Sequence, residues 1–184
     1  SGRFGVVLTE SSYPMPSVIT ELGDEFNIPF VLSIARQESE FNISAISGAR
    51  AYGMMQMINA TAKLTARKHR IKYHKSWLTA DQNYAAKLGA HHLNDLLKKY
   101  DGSYIMAAVA YNAGPNRVTR WNKRYGDPRK GEIDAIDWLE NIPFSETRNY
   151  VQRVMENMQV YNARLNNGQA PLELESDINA GAFR

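Results

Sequence analysis

Apolar residues recur at helical spacing along much of the chain, and no stretch alternates apolar and polar residues for long enough to predict a sheet. One helix is expected to begin at residues 79–82, which resemble a capping box, and to run to Tyr100. Residues 103–111 are mostly apolar and predict a buried central helix. Further helices are expected from Phe30 to Ser39 and after Ser145, which we predict to be an N-cap. The sequence therefore favours an all-α or mainly α globule.

The length and composition indicate one globular domain. Of 184 residues, 43% are hydrophobic and 22% charged, which suffices for a core and excludes general disorder. The helical periodicity fades after Asn166, so we predict a domain over residues 1–166 and an extended tail over residues 167–184. The absence of cysteine excludes disulfides, thiol nucleophiles and thiolate metal sites. No apolar stretch is long enough to predict an integral membrane segment.

The charges are unevenly distributed, although the net charge is only +3. Between Phe41 and Ala80 there are seven Lys or Arg residues and no Asp or Glu. A solvated helix face is the simplest interpretation, and cell-wall glycan with peptide carboxylates is one polyanion that such a surface would fit. A nucleic-acid partner is not predicted, because a stronger basic excess and a recognised reader motif are both missing.

Glu38 is the first candidate for catalysis, because it lies near the end of the apolar helix that begins at Phe30. Apolar surroundings disfavour the ionised carboxylate and raise its pKa, as a general acid near neutral pH requires. Taken alone, a glutamate at a helix end is more often a solvated surface residue. The four histidines lack clustered carboxylate or thiolate partners, so no metal site is predicted.

Four motifs occur in a characteristic order and give Glu38 its context. They are Arg36-Gln37-Glu38-Ser39, Gly53-Met54-Met55-Gln56, Ala110-Tyr111-Asn112-Ala113-Gly114 and the stretch IPFSETRNYV at 142–151. The set closely resembles the catalytic domain of the soluble lytic transglycosylases, which are related to goose-type lysozymes. The resemblance extends from about Tyr13 to Leu165. It departs from the common family pattern at Ile58 and Asn59, where relatives carry a groove-wall methionine and a helix-starting proline.

The resemblance implies a mainly α, lysozyme-like single domain that cleaves the bond between N-acetylmuramic acid and N-acetylglucosamine in peptidoglycan. Glu38 matches the catalytic acid and base of the family. The positions that the resemblance places along the glycan groove or near the glutamate are Ser47, Gln56, Tyr111, Asn112, Glu140 and Tyr150. The resemblance implies no cofactor. It further implies glycan strands as the partner, a periplasmic or exported location with a signal outside this sequence, and an upstream helical domain in the full-length protein.

The missing acidic residues also bear on the reaction product. Most glycoside hydrolases use two carboxylates, and none lies between Phe41 and Ala80. We therefore predict that the 6-hydroxyl of the muramic sugar, and not water, attacks the anomeric carbon, which gives a 1,6-anhydro product. A muramidase in which Glu140 positions a water remains an alternative. Two hypotheses without catalysis also stay open, a glycan-binding scaffold that has lost activity and a polyanion-binding module.

Overall fold

A computed structural model describes residues 12–168, 171 and 173–181. Within them the chain forms ten α-helices and two two-residue strands. The helices are α1 (Ser17–Thr20), α2 (Ile28–Ser39), α3 (Asn59–Lys68), α4 (Trp77–Ala80), α5 (Gln82–Lys99), α6 (Tyr104–Ala113), α7 (Pro115–Tyr125), α8 (Ala135–Glu140), α9 (Ser145–Leu165) and α10 (Leu174–Ile178). The antiparallel strands are β1 (Ala51–Tyr52) and β2 (Met57–Ile58), with Ala51 opposite Ile58 and Tyr52 opposite Met57. The predicted mainly α class is confirmed.

Side-chain caps fix the start of the helices that position the site. The Asn27 side chain accepts a hydrogen bond from the Phe30 amide and begins α2. Asp81 accepts a hydrogen bond from the Tyr84 amide and begins α5. The expected capping box began at residue 79, so the observed N-cap lies two positions later. Ser103 caps α6 in the same way. The prediction for Ser145 was wrong, because Phe144 is the N-cap of α9 and makes no side-chain capping bond.

The core is built around α6, whose residues from Ile105 to Ala110 are all buried. Helix α9 packs against both α2 and α6, and α5 covers another side of α6. None of the described helices has the length and hydropathy needed to cross a membrane. The arrangement brings the end of α2, the end of α6 and the first half of α9 to one side of the core.

Two glycines allow the loop between α2 and α3 to lie close to the helices. Gly53 has φ +74°, and a Cβ on it would lie 1.9 Å from the Leu78 carbonyl oxygen. Gly89 lies in α5, where a Cβ would meet the Met55 side chain at 2.4 Å. Both positions therefore exclude larger residues, and residues 53–57 are held against α4 and α5.

The structure differs from the prediction in several short elements. Helix α8 and the two strands were not predicted, whereas α3 begins at Asn59, the position at which the resemblance placed a helix start. The sequence also predicts a helical segment from Pro16 to Phe26, of which only Ser17–Thr20 is helical. Within the predicted extended tail, α10 is helical, so the prediction was wrong there. The Gln159 side chain donates to Asp177 (2.6 Å) and accepts from the Glu173 amide (2.9 Å), which ties this helix to α9. Residues 1–11, 169–170, 172 and 182–184 of the two predicted segments lie outside the described residues.

Candidate active site

Glu38 lies in the last turn of α2 and its carboxyl group is largely removed from water. The Tyr150 hydroxyl, on α9, donates a hydrogen bond of 2.7 Å to Glu38 Oε1. Burial raises the pKa of Glu38 from 4.5 to about 7, and the Tyr150 hydrogen bond opposes part of that rise. Near neutral pH, Glu38 therefore populates both the acid and the carboxylate, which suits a group that first donates and then accepts a proton.

The loop that carries Gln56 is fastened to the end of α2. Ser39 Oγ donates to the Met54 carbonyl oxygen at 2.8 Å. Gln56 has a left-handed backbone (φ 44°), and its side-chain nitrogen donates to the carbonyl oxygens of Gly53 (2.9 Å) and Ala45 (3.2 Å). These bonds close the loop on itself and fix the Gln56 side chain beside Glu38.

Tyr111 and Asn112 lie at the end of α6 and connect it to the rest of the site. The Tyr111 hydroxyl donates to the Met55 carbonyl oxygen at 2.6 Å. Burial and the nearby Glu38 charge raise the Tyr111 pKa well above its usual value, so this hydroxyl stays protonated. Asn112 Oδ1 accepts from the Thr147 hydroxyl of α9 at 2.9 Å. The Tyr111 hydroxyl thus supports the Gln56 loop instead of bonding to Glu38.

Three adjoining cavities meet at these residues and form one groove, because neighbouring cavities share lining residues. The central cavity, about 180 Å³, is lined by Glu38, Ala49, Ala51, Gln56, Met57, Ile58, Thr61, His92, Tyr111 and Asn112. The α9 cavity, about 530 Å³, is lined by Gln37, Glu38, Asn112, Ser145, Glu146, Asn149, Tyr150 and Arg153. The α5 cavity, about 470 Å³, shares Ile58, Thr61, His92, Tyr111 and Asn112 with the central cavity and extends to Lys99 and Pro115. Glu38 lies where the central and α9 cavities meet.

The structure brings together five of the seven residues selected from the sequence, namely Glu38, Gln56, Tyr111, Asn112 and Tyr150. Ser47 lines none of the three cavities. Its hydroxyl accepts from the Ala51 amide at 3.1 Å and so shapes the loop that borders the central cavity. Glu140 is exposed at the end of α8 and also lines none of them.

Several groove residues were not selected from the sequence. Glu146 lines the same cavity as Glu38, although it lies 108 positions further along the chain (146 − 38). Arg153 lies two helical turns beyond it on α9, on the same face. His92 lines two cavities and its ring packs against Tyr111, with centroids 5.4 Å apart. Burial lowers the His92 pKa to about 4, so the imidazole is neutral near pH 7. The helical spacing of Glu146, Asn149 and Arg153 was a usable signal.

Comparison with known proteins places the chain among transglycosylases. Residues 19–133 match the family described as Transglycosylase SLT domain, and residues 141–170 match the soluble lytic transglycosylase helical domain. A putative soluble lytic murein transglycosylase of Haemophilus influenzae is 42% identical over 126 residues, which are 68% of this chain and 21% of the relative. The soluble lytic murein transglycosylase of Escherichia coli is 36% identical over 134 residues, 72% of this chain and 20% of the relative. The chain thus spans about a fifth of the length of these relatives.

Solved structures agree on the fold. An inactive Glu-to-Gln variant of the lytic transglycosylase Slt from Pseudomonas aeruginosa superposes with a TM-score of 0.76 at 33% identity, covering 89% of this chain and 26% of that one. The 70-kDa soluble lytic transglycosylase in complex with bulgecin A gives a TM-score of 0.82 at 29% identity, covering 95% and 28%. These neighbours confirm the predicted lysozyme-like transglycosylase fold. Because the family match also extends over well over half of the sequence, the chain belongs to the Transglycosylase SLT domain family.

Proposed function

We propose that this chain is the catalytic domain of a peptidoglycan lytic transglycosylase, which cleaves the β-1,4 bond between N-acetylmuramic acid and N-acetylglucosamine. The observation that carries the proposal is Glu38 itself, a desolvated carboxyl with a pKa of about 7 in the middle of an elongated groove. A groove open on both sides of the acid suits a chain-like substrate. The murein transglycosylases among the relatives support the same substrate class.

The proposed reaction needs a single protein carboxyl. Protonated Glu38 donates its proton to the glycosidic oxygen as the bond to C1 of the muramic sugar breaks. The carbonyl oxygen of the C2 N-acetyl group stabilises the positive centre at C1. The Glu38 carboxylate then takes the proton of the 6-hydroxyl while O6 bonds to C1, so the product is a 1,6-anhydro ring, Glu38 is protonated again and no water is consumed.

The other groove residues have distinct proposed roles. Tyr150 orients the Glu38 carboxyl through its 2.7 Å hydrogen bond. Gln56 and Asn112 contact the glycan from the groove wall, and Tyr111 packs beside it while holding the loop through Met55. Ser47 acts by shaping that loop. A contact between Glu140 and the glycan remains a prediction that the cavities do not support.

Hydrolysis of the same bond is the second candidate, and Glu146 is the observation that favours it. Glu146 lines the α9 cavity together with Glu38, so this cavity holds two carboxyl groups. Hydrolases that use two carboxylates employ the second as a nucleophile or to activate water. If water enters the product, Glu146 and not Glu140 is therefore the carboxyl expected to act as the second catalytic group.

Digestion of purified peptidoglycan in heavy-oxygen water distinguishes the two reactions. We expect anhydromuropeptides in large excess, without label at the anomeric carbon, and product release by Glu38→Gln that is slower on the order of 10² to 10⁴. Extensive label would contradict the transglycosylase proposal. If Glu146→Gln then removed that label, the muramidase would be the correct function. Absence of any cleavage by the folded wild-type chain would favour a glycan-binding scaffold.

The proposed function also implies a location and a larger context. Murein lies outside the cytoplasm, so we propose a periplasmic or exported location. The relatives are several times longer than this chain, and the match at residues 141–170 is to a helical domain, which supports a further helical domain in the full-length protein. The proposed steps use no metal or cofactor. Within the described residues, no three His, Asp or Glu side chains form a group that could hold a metal ion.

A further inference from the structure

The α5 cavity contains a cation that the chemistry at Glu38 does not use. Three charged residues line this cavity, Lys68, Lys99 and Asp95. Lys68 Nζ lies 2.7 Å from Asp95 Oδ1, and His69 Nε2 lies 3.0 Å from the other oxygen of the same carboxylate. Burial raises the pKa of Asp95, but the contacts with Lys68 and His69 outweigh it together and hold the pKa below its usual value, so Asp95 is a paired carboxylate near neutral pH.

Lys99, unlike Lys68, is not paired with a carboxylate among the described residues. It is exposed in the last turn of α5, and no described carboxylate lies within ion-pair distance of its ammonium group. The rest of the cavity wall is mostly apolar and includes two exposed side chains, Leu64 (68% exposed) and Ile58 (53% exposed). A ligand that fits this part of the groove therefore carries a negative charge next to apolar groups.

The glycan backbone of a stem-bearing murein strand does not supply that charge, because the lactyl carboxyl of each muramic sugar is taken up in the amide bond to its stem. The peptide stems on the muramic sugars do, since they carry free carboxylates beside small aliphatic side chains. The acid-free stretch from Phe41 to Ala80 contributes Lys68 to the same cavity and makes its surroundings more cationic. The charge pattern seen in the sequence thus lies partly along the groove.

We propose that the α5 cavity binds a carboxylate-bearing peptide stem of the substrate, with Lys99 as the residue that pairs with the stem carboxylate. This inference rests on the proposed function, because it assigns the peptide portion of the same substrate to one arm of the groove. Lys68 stays paired with Asp95 and adds positive potential, and the walls formed by Ile58 and Leu64 contact the aliphatic part of the stem. Duplex DNA, the other polyanion tested, presents its phosphates outward and gains little from the apolar wall.

The experiment compares two substrates, purified glycan strands with their stems and the same strands after enzymatic removal of the stems. Removal leaves a lactyl carboxylate on each muramic sugar, so these carboxylates are capped as methyl amides before use. For each protein we take the ratio of kcat/KM on the stem-bearing strands to kcat/KM on the stripped strands. Lys99→Gln should lower this ratio about 2- to 5-fold through KM, the range expected for losing one exposed charge pair. Lys99→Arg should largely restore it, and Lys99→Glu should lower it further.

Lys98→Gln is the matched control. Lys98 is the adjacent exposed lysine of the same helix turn and lines none of the cavities, so the change in charge and in helix environment is the same. The ratio of the two kcat/KM values should be the same for Lys98→Gln as for the wild type. Equal losses in Lys98→Gln and Lys99→Gln, or equal losses for Lys99→Gln on both substrates, would overturn the assignment.

A binding measurement keeps this test separate from the proposed reaction. Glu38→Gln protein, with and without Lys99→Gln, is titrated with the two strand preparations and, in addition, with duplex DNA. If adding Lys99→Gln weakens the binding of stem-bearing strands but not that of stripped strands, the result supports the stem-binding site, even if the wild type cleaves nothing. Weaker binding of DNA without any effect on stem-bearing strands would assign Lys99 to nonspecific polyanion binding and overturn the proposal.

Discussion

Replacing Glu38 by Gln should make the protein more stable at alkaline pH while it removes the proposed activity. The neutral amide is nearly isosteric, and its oxygen still accepts the hydrogen bond from Tyr150 that Glu38 Oε1 accepts in the wild type. The substitution thus leaves the packing of α2 against α9 in place. It removes only the ability to ionise and to transfer a proton.

The size of the stability effect follows from the pKa of Glu38. Burial raises it from 4.5 to about 7, so the folded protein binds this proton more tightly than the unfolded chain does. The stabilisation that this proton provides is complete below about pH 4.5 and is lost as the pH rises through about 7. At 1.36 kcal/mol for each pKa unit, the free energy of unfolding of the wild type should lose about 3 kcal/mol from this residue across that window.

The assay is urea unfolding of wild type and Glu38→Gln at several values between pH 4.5 and 8.5. The difference in unfolding free energy should change by about 2–3 kcal/mol in favour of the variant as the pH rises. Glu40→Gln is the control, because Glu40 is exposed at the same end of α2 and lines none of the three groove cavities, and its difference from wild type should stay nearly constant. A pH-independent difference for Glu38→Gln would refute the claim that Glu38 is desolvated in the folded state. Activity of the variant should fall on the order of 10² to 10⁴.

Three further substitutions test contacts around the groove. Tyr111→Phe removes the hydroxyl that donates to the Met55 carbonyl oxygen, so we expect the unfolding free energy to fall by about 1–2 kcal/mol and kcat to fall with it. Unchanged stability would show that this hydrogen bond does not stabilise the loop. Tyr150→Phe removes the hydrogen bond that lowers the Glu38 pKa, so the loss of kcat/KM at alkaline pH should move to higher pH, whereas an unmoved profile would contradict this role. Gly89→Ala introduces a methyl 2.4 Å from Met55 Cγ and should cost about 1–3 kcal/mol, while Gly48→Ala, with open space around it, should be close to neutral in thermal unfolding.

The sequence predicted the long helices because their signals are local. The apolar spacing of α5, α6 and α9 is a property of residues close together in the chain, and the observed bounds agree within a few positions. The short helices were missed for the complementary reason. A helix such as α10 is too short to be stable alone, and it depends on hydrogen bonds to Gln159 of α9 that no local pattern reveals.

The site residues likewise fall into those that local motifs identify and those that only tertiary contacts reveal. The motifs selected Glu38, Gln56, Tyr111, Asn112 and Tyr150, all of which line the groove. The sequence had no means of identifying the acceptor of the Tyr111 hydroxyl, which is a backbone carbonyl 56 positions away. It did not select Glu146, although that residue lies within the motif at 142–151; the packing of α9 against α2 is what brings Glu146 to the Glu38 cavity.

The electrostatic properties of the site were decided by the tertiary structure. The sequence supplied a carboxyl at the end of an apolar helix and therefore the direction in which its pKa should change. The extent of the change depends on how much water α6, α9 and the Gln56 loop exclude, and on the hydroxyl of Tyr150, 112 positions away. Desolvation and hydrogen bonding act over a few ångströms in space regardless of separation along the chain, so only the folded arrangement determines them.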